Sequence, residues 1–301
     1  MPKSIAGFAM VDRFLEYMKC ERGRSPLTIE NYRRDLQNFC CFFTGLSCDL
    51  NWETVDSDIV RDWIGWMMDR GASPTSVNRR LSALRSFYHF ALLRGLIQAD
   101  PTYGVNGLRK EKALPYFLKE KQMRNLLDAV VWDDGYEGVR DRLIILMFYE
   151  TGMRLSELLG LLDSDVDVCT FTIRVLGKRN KQRVIPFGKE LAAEISRYRD
   201  VLRREIERFS PSFFLTIKGL GMKESQVRYI VEKNLRKVCT LKKVSPHVLR
   251  HTFATEMLNH GADLESVKRL LGHSSLMTTE VYTHVTFEQL KREYKTAHPR
   301  A

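Results

Sequence analysis

Ser245-Pro246-His247-Val248-Leu249-Arg250-His251-Thr252-Phe253-Ala254-Thr255, running on through Glu256-Met257-Leu258-Asn259-His260 to Gly261, reads as a helix with both ends written out. Ser245-Pro246 is the entry, and Pro246 at the first helical position loses no bond by lacking an N–H. Gly261 supplies the stop. His247 and Arg250 are three residues apart and share one face, so an imidazole and a guanidinium meet beside the helix start.

The flanking sequence continues in the same style. Downstream, Leu264 to Leu271 is helical and Gly272 ends it; His273 follows at once, and Tyr282 lies nine residues later in VYTHV. A further helix follows Thr286, with Phe287, Leu290 and Tyr294 forming a short apolar stripe. Upstream, Ser225 to Val238 and Lys189 to Phe209 are helical, and Phe213 to Thr216 fits a short strand. Thr170 to Val175 and Arg183 to Phe187 alternate apolar and polar around the polar turn Leu176 to Gln182. That pattern predicts a β-hairpin with a basic tip holding Lys178. Earlier still, Lys119 to Val131 and Val139 to Tyr149 look helical; Thr151-Gly152 breaks the pattern, and Arg154 to Leu162 resumes it as an amphipathic helix.

The first third is helical throughout. Phe14, Leu15 and Met18 recur at helical spacing within Asp12 to Lys19. Ser25-Pro26 and Ser73-Pro74 each open a helix; the first buries Ile29, Tyr32, Leu36, Phe39 and Phe43, the second Val77, Leu81, Leu84, Tyr88 and Leu92. Between them lies a helix over Ser57 to Asp69, stopped by Gly71. Short connections make these four a bundle. The two Ser-Pro helices also share basic early turns: Arg33 and Arg34 on one, and Asn78, Arg79, Arg80 and Arg85 on the other. Each pair alone is an ordinary solvated face; the repetition makes these six residues candidates for gripping a phosphate backbone. Asp100-Pro101 to Pro115 has the glycines and charges of a boundary. The expected division is a helical domain over 1–107, a linker over 108–115 and a mixed domain over 116–301. The fold class is mainly α with a small β-sheet: an N-terminal helical bundle plus an α+β domain.

Composition narrows the partner. The chain of 301 residues carries 48 Lys+Arg against 37 Asp+Glu, a formal charge of +11, which favours a polyanion. Residues 1–112 hold 16 basic and 13 acidic side chains, leaving 32 and 24 for the rest, so most of the excess lies in the second part. No apolar run is long enough for a transmembrane helix, and the first residues carry Asp12 and Glu16 in place of a signal core. The six cysteines form no CxxC. These features lead us to expect reduced thiols in a cytoplasmic protein without a membrane partner.

Arg154, Lys178, His247, Arg250, His273 and Tyr282 supply two guanidiniums, one ammonium, two imidazoles and one phenol. Such a set suits a phosphodiester. Arginine forks clasp non-bridging oxygens and stabilise charge that grows in the transition state. A phenol can attack phosphorus and hold it covalently. Histidine and lysine can move the protons. Positive charge from side chains makes a metal clamp unnecessary, and no cofactor or metal is expected. His247 and His251 lack the glutamate of HExxH, because Val248 occupies its place, so a zinc pair is disfavoured. Glu157, three residues after Arg154, is expected to support its helix or to orient a neighbour.

These residues, in the phrases TGMRLSELLGL, GKRNKQRVIP, SPHVLRHTFAT, LGHSS and VYTH, resemble the tyrosine site-specific recombinases, the phage-integrase family, and within it the Xer type. The resemblance covers nearly the whole chain. It implies that the N-terminal bundle is a SAM-like core-binding domain and the remainder a catalytic domain ending in a coupling helix. It implies that Tyr282 becomes linked to a 3′ phosphate and that Arg154 and Arg250 bind the scissile phosphate. Lys178 would protonate the leaving 5′ oxygen, His247 would act as acid/base, and His273 would hydrogen-bond the phosphate. It further implies double-stranded DNA as substrate, a Holliday-junction intermediate and a homo- or hetero-tetramer with a paralogous recombinase. Resolution of chromosome dimers at cell division and contact with a septal DNA translocase also follow from it. The alternatives are a mobile-element integrase of the same family, a type IB topoisomerase, and a DNA-binding regulator that does not cleave.

Overall fold

A computed structural model describes residues 3–47, 51–109, 116–177, 182–272 and 284–300; the side chains of residues 3–8 and 284–289 lie outside the description. The chain divides into two compact units, Met1–Ala113 and Leu114–Ala301.

The first unit is a four-helix bundle: α1 (Lys3–Cys20), α2 (Pro26–Leu46), α3 (Ser57–Asp69) and α4 (Pro74–Leu93). The first helix begins well before Asp12, where periodicity placed it. The Ser-Pro starts form as read. Ser25 Oγ accepts from Thr28 N and Ser73 Oγ from Ser76 N, both at 3.3 Å, with proline in the first turn of each helix. The core is aromatic. Phe14, Phe39, Phe43, Trp52, Trp63 and Phe87 are buried together, with edge-on contacts such as Phe14–Phe87 at 5.6 Å and Phe43–Trp52 at 5.1 Å.

The second unit is built around α6 (Tyr136–Thr151), whose residues Leu143 to Phe148 are all fully buried. A helix apolar on every side belongs at the centre of a core. Ahead of it, the helix expected over Lys119 to Val131 is instead α5 (Glu120–Arg124) followed by one π-helical turn, Asn125–Ala129. After α6 come α7 (Leu155–Leu159), a 3₁₀ turn at Asp163–Asp165, and an antiparallel sheet of three strands, β1 (Val166–Asp167), β2 (Thr172–Leu176) and β3 (Gln182–Pro186), in that spatial order. Ile173 faces Ile185, and Val175 faces Arg183. Lys178 at the tip lies outside the described residues. The helix expected over Arg154 to Leu162 is shorter, because Arg154 is its cap and Gly160 its end. The strand expected at Phe213 to Thr216 reduces to one bridge, Leu215 with Gly221, across a turn in which Gly219 has φ +69°.

Four more long helices precede the tail or form it: α8 (Lys189–Glu205), α9 (Glu224–Leu235), α10 (Pro246–Asn259) and, after α11 (Leu264–Leu271), α12 (His284–Ala297). A second small core joins α10, α11 and α12 through Phe253, Met257, Leu270, Leu271, Leu290, Tyr294 and Ala297. The tail therefore packs on its own unit. Tyr294 Oη donates to Glu150 Oε2 at 3.1 Å, His298 stacks on Tyr294 with ring centroids 5.1 Å apart, and Arg300 pairs with Glu190 and Asp128. Phe287 of the expected stripe lies outside the described side chains. Among the described residues no helix is long and apolar enough to cross a membrane.

Candidate active site

The last carbonyls of a helix have no partner within it. At the end of α11 three consecutive ones are taken by three arginines from three elements. Arg183 of β3 donates from Nε to Leu270 O at 3.0 Å. Arg250 of α10 donates to Leu271 O at 2.6 Å. Arg154, capping α7, donates to Gly272 O at 3.0 Å. Each cation also meets the negative end of the α11 dipole.

Two glycines make this approach possible. Gly152 ends α6 with φ +57°, and a Cβ there would sit 2.4 Å from the Phe253 ring and 2.9 Å from Leu271. Its carbonyl takes a second bond from Arg250, at 2.6 Å. Gly272 ends α11 with φ +65°, and a Cβ there would press on Arg183 at 3.0 Å. Both positions need a left-handed backbone and a missing side chain.

One carboxylate holds two of the arginines. Glu157 is buried and accepts from Arg183 at 2.5 and 2.8 Å, from Arg154 Nη1 at 2.8 Å and from the Arg154 backbone N–H at 2.7 Å. Burial alone would raise its pKa; the bonds and charge of Arg183, and then those of Arg154, more than offset that and lower it. The expectation that Glu157 orients a neighbour is met through both arginines. Arg183 itself went unrecognised in the sequence, where it reads only as a polar position in an alternating strand.

Three guanidiniums against one carboxylate leave the cluster with excess positive charge. Burial first, and then Arg154 and Arg183, push the Arg250 pKa down to about 10. His247, one turn before Arg250 and only partly screened from water, has its pKa lowered by that desolvation and then by Arg228, Arg250, His251 and Arg154. It is thus neutral at physiological pH and able to accept a proton. Arg154 keeps 34% of its side chain exposed, so the cluster opens to solvent. A half-buried, net-positive cluster of forked donors is suited to a tetrahedral anion. Of the six candidates the structure brings Arg154, Arg250 and His247 together. Lys178, His273 and Tyr282 lie outside the described residues.

Two family models match the chain. Residues 116–289 match the phage integrase family, and residues 11–95 match the phage integrase N-terminal SAM-like domain. The chain belongs to the phage integrase family, the tyrosine recombinases. Relatives of this recombinase include tyrosine recombinase XerC of Staphylococcus saprophyticus, 37% identical over 96% of each chain. Tyrosine recombinase XerC of Chlorobaculum tepidum is also 37% identical, over 99% of this chain and 97% of that one. The fold is shared with XerH site-specific recombinase in its post-cleavage complex with palindromic difH substrate. That likeness has a TM-score of 0.72 at 21% identity and spans 94% of this chain and 83% of that one.

In the SAM-like unit of this recombinase the six basic-face candidates divide. Arg79 forms a forked pair with buried Asp35 of α2, its second bond at 2.8 Å, and Arg80 lies 4.0 Å from the same carboxylate. Arg33 pairs with Asp12 at 3.0 Å and Arg34 with Glu30 at 3.5 Å; Arg33, Arg34 and Arg79 all keep much of their guanidiniums in solvent. Asn78 and Arg85 turn inward on the chain. Asn78 exchanges two bonds with the Leu108 backbone, at 2.7 and 2.8 Å, and Arg85 donates to Val105 O. These two bind the segment leaving the bundle, work that competes with a phosphate contact. Asp35 went unnoticed in the sequence, although it joins the two Ser-Pro helices.

Proposed function

We propose that this recombinase cleaves and rejoins double-stranded DNA through a 3′-phosphotyrosyl bond to Tyr282. The observation that carries this reading is the arginine cluster at the end of α11, whose charge Glu157 alone does not balance. Arg154 and Arg250 grip the non-bridging oxygens of the scissile phosphate. Their donors are held in place by helix-end carbonyls before the reaction, so little reorganisation is needed as charge develops. Tyr282 Oη attacks phosphorus, and its P–O bond forms as the bond to the 5′ oxygen breaks. Neutral His247 takes the phenolic proton, Lys178 gives a proton to the leaving 5′ oxygen, and His273 hydrogen-bonds the phosphate. The phosphotyrosine keeps the bond energy, so a 5′ hydroxyl from the same or another duplex can reverse the step without a nucleotide cofactor.

Strand exchange between two duplexes through a Holliday junction then requires four protomers, identical or paired with a paralogue. The likeness to XerC proteins over nearly the full chain supports resolution of chromosome dimers at cell division, with a septal DNA translocase as the outside partner. Residues 1–107 serve as the core-binding domain, 108–115 as the linker and 116–301 as the catalytic domain. Arg33, Arg34, Arg79 and Arg80 supply the phosphate contacts of the core-binding face, with Asn78 and Arg85 as secondary candidates. α12 couples neighbouring protomers once its socket is exchanged.

A nicked suicide substrate tests the central step. Wild-type protein should be trapped as a covalent DNA complex, and Tyr282→Phe should bind DNA but form none. An adduct with the phenylalanine variant would exclude Tyr282. Trapped complexes without recombinant joints would favour a topoisomerase, and binding without any trapped complex a non-cleaving regulator.

A further inference from the structure

The Arg183 side chain is only 6% exposed, against 34% for Arg154. All three nitrogens of its guanidinium are engaged within the chain: Nε on Leu270 O, and Nη1 and Nη2 as a fork on the two oxygens of Glu157. Arg154 meets the same carboxylate differently. It gives Glu157 one guanidinium bond, from Nη1, and turns Nη2 to Gly272 O. Among the described residues no other carboxylate pairs with Arg154 or Arg183. Burial raises the Glu157 pKa, and Arg183, ahead of Arg154, brings it down. A buried carboxylate is stabilised by every charge-assisted bond within reach. Beside Arg154 alone, Glu157 would draw in the whole fork of that guanidinium and neutralise it.

We infer that Arg183 is a positioning residue, an internal counter-ion that satisfies Glu157 and so leaves the charge of Arg154 free for a phosphate; this rests on the assignment of Arg154 to the scissile phosphate. Arg183 itself is too enclosed to touch substrate. It acts through the carboxylate, and a second time through its bond to Leu270 O, which ties β3 to the end of α11. The next two carbonyls there, Leu271 O and Gly272 O, aim Arg250 and Arg154. The fork has little room to shift: a Cβ on Gly272 would stand 3.0 Å from Arg183 Nη1 and 3.2 Å from Cζ. Lysine cannot replace it in full, because one ammonium keeps the charge but cannot fork onto both oxygens and also reach Leu270.

The test compares the full chain with Arg183→Met, Arg183→Lys and the double variant Glu157→Gln/Arg183→Met, each checked for folding by circular dichroism at the assay temperature. The first readout is binding of tungstate, a tetrahedral dianion, by calorimetry, with Arg154→Ala showing which binding belongs to this cluster. Arg183→Met should weaken it by about tenfold or more, the scale of a misplaced binding group. The double variant should return to within about threefold of wild type, because removing the carboxylate charge frees Arg154 again. Arg183→Lys should fall between the two. The second readout, single-turnover cleavage of the nicked suicide substrate at saturating protein, should follow the same order with an unchanged Kd for DNA. A merely structural role makes the double variant no better than Arg183→Met, and that result would overturn the counter-ion. So would an Arg183→Met protein equal to wild type while Arg154→Ala loses tungstate. If Arg183→Met does not fold, the double variant is set against Arg183→Lys: equal or tighter tungstate binding supports the counter-ion, and weaker binding overturns it. The expected tungstate order with no covalent DNA adduct from wild type would overturn the Tyr282 step and leave the counter-ion standing. A normal adduct with a flat tungstate series would do the reverse.

Discussion

Two polar clusters lie within the catalytic unit, both near the end of α6. Around the carbonyls of α11, three guanidiniums gather and one carboxylate holds two of them, so charge is left over. Under the tail, Glu150, Tyr294, Tyr149 and His298 are buried together, and charge is suppressed. Burial pushes Glu150 up to about 8, while bonds from Gly188 N and Tyr294 Oη hold its carboxyl in place. Burial pushes His298 down to about 3, and its Nε2 lies 3.3 Å from Tyr149 O. Leftover charge at an open site calls for a counter-ion from outside. Neutralised groups in a closed site make a fastening, held here through Glu150 Oε2 while Oε1 is buried without a partner.

The charged cluster should break hardest. Arg183→Met leaves Glu157 buried beside one arginine in place of two. Breaking a buried pair costs about 3–5 kcal/mol, so unfolding in urea should shift by that scale. Arg183→Lys should recover part of it, because an ammonium keeps the charge but not the fork. A midpoint unchanged in Arg183→Met would show that Glu157 is held by Arg154 alone.

Arg154→Ala or Arg250→Ala comes next. Each should lower cleavage by about a hundredfold or more, the scale for one preorganised donor. Lysine should substitute poorly at either position. A loss under tenfold in single-turnover cleavage would mean that the guanidiniums serve the α11 carbonyls and not the phosphate.

The fastening should respond to pH with two signs. The Glu150 pKa is higher in the folded chain than in the unfolded one, so the folded state binds more protons between about 4.5 and 8. Stability from this group is whole in acid and is lost as pH rises through that window. The His298 pKa is lower when folded, so its contribution is whole above about 6.5 and falls away towards about 3. Glu150→Gln should therefore flatten the fall in Tm between pH 5 and 8, by a few degrees, since 1 kcal/mol moves a domain of this size roughly 2–4 °C. Hydrogen exchange over residues 290–300 should quicken at pH 5 in wild type and not in His298→Gln. An identical pH profile in Glu150→Gln would show that Glu150 is ionised under the tail.

The smallest effect belongs to the SAM-like unit. Neutralising Arg33, Arg34, Arg79 or Arg80 should weaken DNA binding and lower the salt slope by nearly one unit each. Changing Asn78 or Arg85 should instead loosen the segment at 105–108 and reduce stability, with less effect on the slope. A slope unchanged by the fourfold alanine variant would mark these faces as merely solvated.

The elements that could be read ahead of the structure were those with local punctuation. Ser25-Pro26, Ser73-Pro74 and Ser245-Pro246 opened helices, and Gly152, Gly261 and Gly272 closed them. Arg154, His247 and Arg250 were legible because each interrupts an apolar helix near such a mark. Glu157 was legible through its near partner Arg154, but Arg183 and Asp35 act through partners 26 to 87 residues away, and no local spacing signals such a partner. The π-helical turn at Asn125–Ala129 hides because its residues suit an ordinary helix equally well. The two-residue strand β1 is too short for alternation to register. The resting place of the tail depends on His298 and Arg300, which lie beyond the last periodic residue.

The three carbonyls at the end of α11 also set a timetable. Arg154, Arg183 and Arg250 are made before Leu270, Leu271 and Gly272, and each waits for a partner that is synthesised later. A ribosome-bound fragment ending short of Gly272 has its arginines but nothing to aim them. The arginine cluster proposed to grip phosphate therefore assembles among the last events of synthesis, when distant segments close together. Until then a nascent chain carries the basic charge of these residues without their final arrangement.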